Sequence, residues 1–278
     1  MVAVSAPLVS VVTPSLNQGR YLREAIESVR AQTYSPIEHV VVDGGSTDET
    51  LDILSEYDHL RWVSEPDRGQ SHALNKGFAR AAGEIFGWLN ADDAYEPHAV
   101  AEGVRALTES GAGLVYADVT RVNDDRIDPR RIRSRPRWDL WTELNEGNGV
   151  YSPSVFFTRE AFEAAGGIDD SLHFSMDYDL WLRIGKRFGV QRVDAVWSMQ
   201  RYHDASKTIS RMDAFWPERL AVSRRHGGRL VSPLLIRRYA GAGRLAHLLN
   251  SAAAGMYMAK ERRFRTLMAR LRAALGGG

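Results

Sequence analysis

The chain has 278 residues, of which 44% are hydrophobic and 26% charged, which excludes a disordered, collagenous or coiled-coil protein. It has no cysteine, which excludes disulfides, thiolate zinc sites, iron–sulfur clusters and a cysteine nucleophile. The net charge of +1 is unevenly spread: from Arg219 to Gly278 thirteen Lys or Arg face one acid, Glu261, leaving that stretch near +12 and the remainder near −11.

In chain order, residues 8–13 form a short apolar run stopped by Pro14, the pattern of a buried strand. Residues 19–32 carry Tyr21, Leu22, Ala25, Ile26 and Val29 at helical spacing. Residues 38–43 predict a second strand closed by Gly44-Gly45, with Ser46 or Thr47 placed to cap a helix through Leu51, Leu54 and Tyr57. A strand over 60–64, a helix over 69–82, a strand over 85–89, a helix starting near Pro97 and a strand over 113–119 follow. Strands alternating with helices predict βαβ units and a mostly parallel α/β sheet. Ligands bind such sheets at the carboxyl ends of the strands, where Pro14-Ser15, Asp43-Gly44, Glu65-Pro66-Asp67-Arg68 and Asn90-Ala91-Asp92-Asp93 fall.

The second half is less regular. Residues 121–137 hold seven Arg and three Asp and predict an exposed loop. Residues 154–158 predict a strand, and 177–188 a helix with Trp181, Ile184 and Phe188 in one stripe. From about Pro217 the chain is expected to be helical and basic.

Adjacent carboxylates after a strand, Asp92-Asp93, suit a hard divalent cation or a helix cap. Asp43 suits a hydrogen bond to a nucleotide base or ribose, or ordinary turn chemistry. Asp177 heads an apolar stripe, where partial burial would make it a stronger base, or it caps its helix. His203, with Lys207 and Thr208 nearby, suits a metal and a diphosphate, or a plain surface role. Neither a Gly-x-Gly-x-x-Gly nor a Walker A pattern is present.

The assembled string resembles the inverting glycosyltransferases of family 2, which have the GT-A fold. The resemblance runs from Val9-Ser10-Val11-Val12-Thr13-Pro14-Ser15 through Val41-Val42-Asp43-Gly44-Gly45-Ser46-Thr47-Asp48 and Glu65-Pro66-Asp67-Arg68-Gly69. It continues in Ala73-Leu74-Asn75-Lys76-Gly77, Trp88-Leu89-Asn90-Ala91-Asp92-Asp93, Gly166-Gly167-Ile168-Asp169, Asp177-Tyr178-Asp179-Leu180-Trp181-Leu182-Arg183 and the His203 segment. It implies a donor nucleotide site of Thr13, Pro14, Ser15, Asp43, Arg68, Asn75, Lys76, Asn90 and Ala91. It implies Asp92 and His203 at Mn2+ or Mg2+, Asp177 as catalytic base, and Tyr178, Trp181 and Arg183 on the acceptor side. Two positions depart from the family pattern: Asn90 replaces the first Asp of its Asp-x-Asp motif, and Met176 replaces the Glu that often precedes the base.

The expectation is a metal-assisted transferase that moves a sugar from a nucleoside-diphosphate sugar, UDP-linked first, to a saccharide or lipid-linked acceptor of cell-envelope polysaccharide or glycolipid synthesis. The alternatives are a catalytically degenerate nucleotide-sugar-binding scaffold and a sugar-phosphate nucleotidyltransferase. Residues 1–216 are expected to form the catalytic domain, with 1–119 as the nucleotide-sugar half and 120–216 as the acceptor half. Residues 217–278 form a basic helical appendage. Its Arg and Lys interleaved with Leu, Met and Phe suit an anionic membrane surface, packing on the acidic body, or an oligomer contact. Nucleic acid is not an expected partner. Residues 1–16 lack the basic start of a signal peptide, and the longest apolar stretch, 245–259, is broken by His247, Asn250 and Ser251. The expected location is cytoplasmic, with a peripheral position on the cytoplasmic face of a membrane as the variant.

Overall fold

Apolar strands buried on both faces, separated by one-sided helices, place the functional turns along a single sheet edge. The computed structural model describes residues 6–124, 129–203, 211–229 and 232–233. Its strands are β1 (Val9–Ser15), β2 (Ile37–Asp43), β3 (Leu60–Ser64), β4 (Ile85–Trp88), β5 (Ala94–Tyr95), β6 (Leu114–Asn123), β7 (Arg130–Ile132), β8 (Val155–Thr158) and β9 (Val190–Tyr202). The helices are α1 (Gly19–Arg30), α2 (Thr50–Ser55), α3 (Gln70–Arg80), α4 (Ala99–Ser110), α5 (Leu140–Glu146), α6 (Arg159–Ala165), α7 (Met176–Gly185) and α8 (Met212–Arg225).

One sheet runs in the order β3-β2-β1-β4-β8-β6-β9-β5, with β7 added to β6. Strands β1 to β4 are parallel, as the alternating pattern predicts. The second half is mixed, because β8 is antiparallel to both β4 and β6. The register aligns Ser15 with Asp43, and Asp43 with Ser64, so three polar residues form a row at the carboxyl edge. Because β1 lies between β2 and β4, the chain reverses its direction of travel across the sheet there, which opens a crevice above β1.

Two apolar layers sandwich the sheet. Val12, Phe86, Trp88, Tyr116 and Phe157 pack under α3 and α7, while Val9, Val11, Val115, Phe156 and Trp197 pack under α1 and α4. Each fully buried aliphatic side chain there contributes about 1.5–3 kcal/mol. Helix α3 lies so close to the sheet that a β carbon on Gly77 would overlap the buried Val12 side chain.

Several elements differ from expectation. Glu49 takes the cap position of helix α2 without a side-chain capping bond, Asp48 Oδ1 accepts the Thr50 N–H at 3.1 Å, and the expected caps Ser46 and Thr47 are engaged elsewhere in their turn. Residues 121–137 are not simply a loop. Their ends join β6 and β7, and Arg135 pairs with Glu143 at 2.6 Å and Glu146 at 3.1 Å. The 13-residue strand β9 had no clear alternation to announce it, and its pairing with β6 is interrupted by register shifts. Helix α8 starts five residues before Pro217, carries that proline internally, and packs on α5 and α7. It therefore spans position 216/217, where the appendage was expected to begin. The basic segments beyond residue 233 lie outside the described residues, and with them the membrane-surface expectation. Among the described residues, no helix is long and apolar enough to cross a membrane.

The Gly77 contact sets two effects against each other. Ala gains about 1 kcal/mol of helix propensity over Gly, while overpacking a rigid core costs about 1–3 kcal/mol. Gly77→Ala is expected to lower stability despite the better helix former, measured as a reduced urea midpoint at unchanged slope.

Candidate active site

The donor side is built on the row Ser15–Asp43–Ser64. Asp43 is fully buried and accepts hydrogen bonds from Gly45 N (3.0 Å), Ser46 N (2.9 Å), the Ser46 hydroxyl and the Ser64 hydroxyl (2.6 Å). Its carboxylate thus shapes its own turn, and both oxygens are used there. Asn17, in the left-handed region at φ 52°, ties the β1 turn to the same structure: its N–H donates to Ser46 Oγ at 2.7 Å, and its Oδ1 accepts from Thr47 N at 2.9 Å. Pro14 and Ser15 are buried, and the Ser15 hydroxyl has no hydrogen-bond partner. Thr13 Oγ1 lies 2.9 Å from Nε2 of His39, a ring that burial pushes down to about 3 and keeps neutral.

Three expected donor residues hold loops together. Asn75 donates to the Ile168 carbonyl at 2.8 Å and accepts from its N–H at 3.0 Å, as a backbone strand would. Lys76 Nζ is 3.0 Å from both the Pro66 carbonyl and Glu65 Oε1. Arg68 is exposed and pairs with Asp170 at 2.5 Å.

After β4, Asn90 Oδ1 accepts from Trp88 Nε1 (2.8 Å) and Gln70 Nε2 (2.9 Å), while its Nδ2 donates to Asp93 Oδ2 (3.0 Å). Ala91 is buried. Asp93 is buried too and accepts the Arg201 N–H at 3.0 Å; burial first, then the neighbouring Asp92, pushes its carboxyl well above the usual range. Asp93 is therefore part of the frame. Asp92 is the accessible member, with 23% of its side chain exposed, and its Oδ2 faces His203 Nε2 at 3.1 Å. Arg201 holds this pair in place. It donates to the Asp92 carbonyl (3.2 Å), pairs with Glu24 (2.8 Å) and lies over Tyr21, on which His203 also stacks.

Asp92 and His203 are a suitable donor set for a divalent cation. Such ions take one or two protein ligands and complete their shell with phosphate oxygens and water. Among the described residues there is no cluster of three or more His, Cys, Asp or Glu that would cage an ion without substrate.

On the other side, Asp177 occupies the second position of α7. Ser175 takes the cap position, so capping is not its role. Its Oδ1 accepts from Tyr178 N (2.6 Å) and its Oδ2 from Asn148 Nδ2 (3.0 Å). Burial raises its carboxyl above the ordinary range, and the nearby Arg219 opposes that rise. Helix α8 forms the wall behind it. Glu218 accepts three consecutive amides, His173 N (2.8 Å), Phe174 N (2.6 Å) and Ser175 N (2.7 Å). Arg219 donates to the Asn148 carbonyl at 3.0 Å and stacks over Tyr178 and Phe215. The two sides are linked by Trp88, which orients Asn90, and Trp181, one turn below Asp177; their ring centroids are 6.4 Å apart.

The three expected acceptor residues face inward. Tyr178 is buried and donates its hydroxyl to the Glu143 carbonyl at 2.7 Å. Trp181 is buried against Trp88 and Phe157. Arg183 pairs with Asp179 at 2.7 Å and donates to the Ala165 and Gly167 carbonyls, pinning the Gly166-Gly167 turn. Asn148, Glu218 and Arg219 are the residues that sequence reasoning missed. No local spacing announces them, and Arg219 stands at the start of the basic stretch.

Glycosyl transferase family 2 matches residues 10–166, more than half of the chain. A Rickettsia typhi protein named as an uncharacterised glycosyltransferase is 31% identical over 230 residues, covering 76% of this chain and 71% of the relative. A Rickettsia felis relative with the same kind of name is 30% identical over 74% of this chain but only 36% of its own length. Among solved structures, Staphylococcus aureus TarS in complex with UDP superposes with TM-score 0.63 at 16% identity, over 93% of this chain and 77% of that one. The Pyrobaculum calidifontis mannosyltransferase PcManGT, in complex with GDP-Man and Mn2+, superposes with TM-score 0.58 at 21% identity, over 98% and 87%. With the α/β sheet of these GT-A structures and the family's sequence signature, the chain belongs to glycosyl transferase family 2.

Proposed function

We propose that this glycosyltransferase is an inverting enzyme that transfers a sugar from a nucleoside-diphosphate sugar to a hydroxyl of a saccharide or lipid-linked acceptor, with Asp177 as general base. The observation that carries the reading is the environment of Asp177. It is a half-buried carboxyl with a raised proton affinity, fixed by two hydrogen bonds and backed by Arg219. A general base works best when its affinity for the proton is raised towards the working pH.

The donor belongs in the crevice at the carboxyl edge, over the turns that Asp43 and Asn17 hold together. TarS with UDP and with UDP-GlcNAc supports a uridine donor, and PcManGT with GDP-Man keeps guanosine in view. Asp92 and His203 would hold Mn2+ or Mg2+, which supplies charge neutralisation for the diphosphate leaving group. Asp177 takes the acceptor hydroxyl proton as that oxygen attacks the anomeric carbon. The bond to the diphosphate breaks and its electron pair leaves with the nucleotide. Asn148 and the Tyr178 N–H keep the Asp177 oxygens aimed during the transfer. Because a single displacement suffices, the anomeric centre inverts.

Loss of a general base costs about 10²–10⁴-fold in rate. Asp177→Asn should therefore lose turnover on that scale while binding nucleotide within twofold of wild type. Since only the ionised carboxylate accepts a proton, kcat/KM should fall as pH drops through a value above the normal carboxylate range. Asn148→Ala, which removes a bond to the charged form, should move that limb to higher pH. A limb at ordinary carboxylate pH that Asn148→Ala leaves in place would sink the assignment.

Calorimetric titration with UDP, GDP and dTDP, each with Mn2+ and with chelator, tests the donor side. One nucleotide should bind in a metal-dependent way, and Asp92→Ala should remove the metal dependence. Equal binding of that nucleotide with chelator would remove Asp92 and His203 from the donor site.

A further inference from the structure

Tyr178 and Trp181 pack inward and Arg183 is tied to Asp179, so other groups lie open to meet an acceptor. A row of four side chains starts at the catalytic base. Arg219 lies beside Asp177 and within electrostatic reach of Tyr151, which follows Asn148 by three residues. The guanidinium of Arg121, near the end of β6, is 5.9 Å from the Tyr151 ring and 5.0 Å from the Tyr202 ring at the end of β9. Tyr202 is 43% exposed.

Several guanidinium groups of the same half are matched with acids: Arg131 and Arg192 with Asp118, Arg135 with Glu143, Arg183 with Asp179. Arg121 bonds only the neutral Gln200 amide, at 3.3 Å, and Arg219 only the Asn148 carbonyl. Among the described residues, neither has a carboxylate within ion-pair distance, and the Nε of each is buried without a hydrogen-bond partner. Arg121, without an acid partner, stands on one side of Tyr151, Arg219, in the field of Asp177, on the other, and an exposed ring ends the row.

We propose that the row Arg219–Tyr151–Arg121–Tyr202 is the acceptor subsite and that it takes a saccharide bearing an anionic substituent, a carboxylate or a phosphate. The assignment rests on Asp177 being the base. The exposed Tyr202 ring offers an apolar surface to the C–H face of a sugar and a hydroxyl at its wet edge. Arg121 offers charge-assisted hydrogen bonds to an oxyanion, for which guanidinium geometry is suited.

The test is an NMR titration of the full chain with glucuronic acid, glucose 6-phosphate, glucose and inorganic phosphate, with UDP and GDP binding followed in the same samples. Charge-assisted bonds lead us to expect the better anionic sugar to bind about tenfold or more tighter than glucose and than inorganic phosphate. The ranking of glucuronic acid against glucose 6-phosphate identifies the anion. Arg121→Gln should reduce the preference over glucose below about threefold, and Tyr202→Ala should weaken all three sugars together. Both positions are at least partly exposed, so folding is checked by an unchanged thermal transition. Glucose binding as tightly as both anionic sugars, inorganic phosphate matching them, or an unchanged preference in Arg121→Gln would overturn the proposal. Failure to bind either nucleotide, with the anionic preference intact, would strike the donor reading instead.

Discussion

Three consecutive backbone amides, at residues 173–175, point at one carboxylate, Glu218. The position of Asp177 depends on that contact. The amides precede α7, and leaving a buried N–H unpaired costs about 1–3 kcal/mol, so the loop is held where Glu218 is. The start of α7, and with it Asp177, is thereby set by a residue more than forty positions away. The same helix adds Arg219 at Asn148, the Ser223 hydroxyl at the Leu144 carbonyl (2.7 Å), and Arg225 at Asp169 and Asp179. The family match ends at residue 166, before both Asp177 and α8. Asp177 and the helix behind it therefore lie beyond the segment that the family model covers.

The acidic residues separate into two groups by what surrounds them. Asp43, Asp93, Asp118 and Asp179 are buried and saturated by amides, hydroxyls or guanidinium groups, so they hold structure. Asp92 and Asp177 keep partial access. This sorting also accounts for Asn90 standing where the family usually has Asp. Its Nδ2 donates to the buried Asp93 at 3.0 Å. A carboxylate there would set two like charges side by side in a dry site, which is strongly unfavourable. The amide also accepts from Trp88 and Gln70, so one neutral side chain satisfies three neighbours. The departure follows from local electrostatics and does not by itself mark a lost activity.

The first half of the fold was legible because its signals are local. Apolar runs of four to six residues and one-sided helices specify β1 to β4 and α1 to α4 without reference to distant chain. The second half depends on contacts that sequence spacing does not show. Strand β9 mixes half-buried and exposed positions without alternation, and α8 acts through partners 40 to 80 residues away. The surroundings of the expected acceptor residues were hidden for a related reason. Helical spacing put Trp181 on an apolar stripe of α7 and the resemblance put Tyr178 and Trp181 on the acceptor side, but burial against a core and burial against a substrate look alike in sequence. Arg183 did carry a readable signal: it stands four residues after Asp179, the spacing of a helical ion pair.

The charge asymmetry of the chain is partly resolved inside the fold. Arg219 and Arg225 open the basic stretch, yet one stands in the field of Asp177 and the other bonds Asp169 and Asp179, with His226 joining Asp179 at 2.8 Å. The acidic body and the first turns of the basic stretch thus neutralise each other at α7. Packing on the body, one of the partners that composition allowed for this stretch, is what residues 219–226 do. Arg225 and His226, together with Arg183 of α7 itself, keep the carboxyl of the buried Asp179 below the usual range against the effect of burial. The charge difference that reads in sequence as a binding surface is, at this point of the fold, what attaches the helix carrying Asp177 to α8.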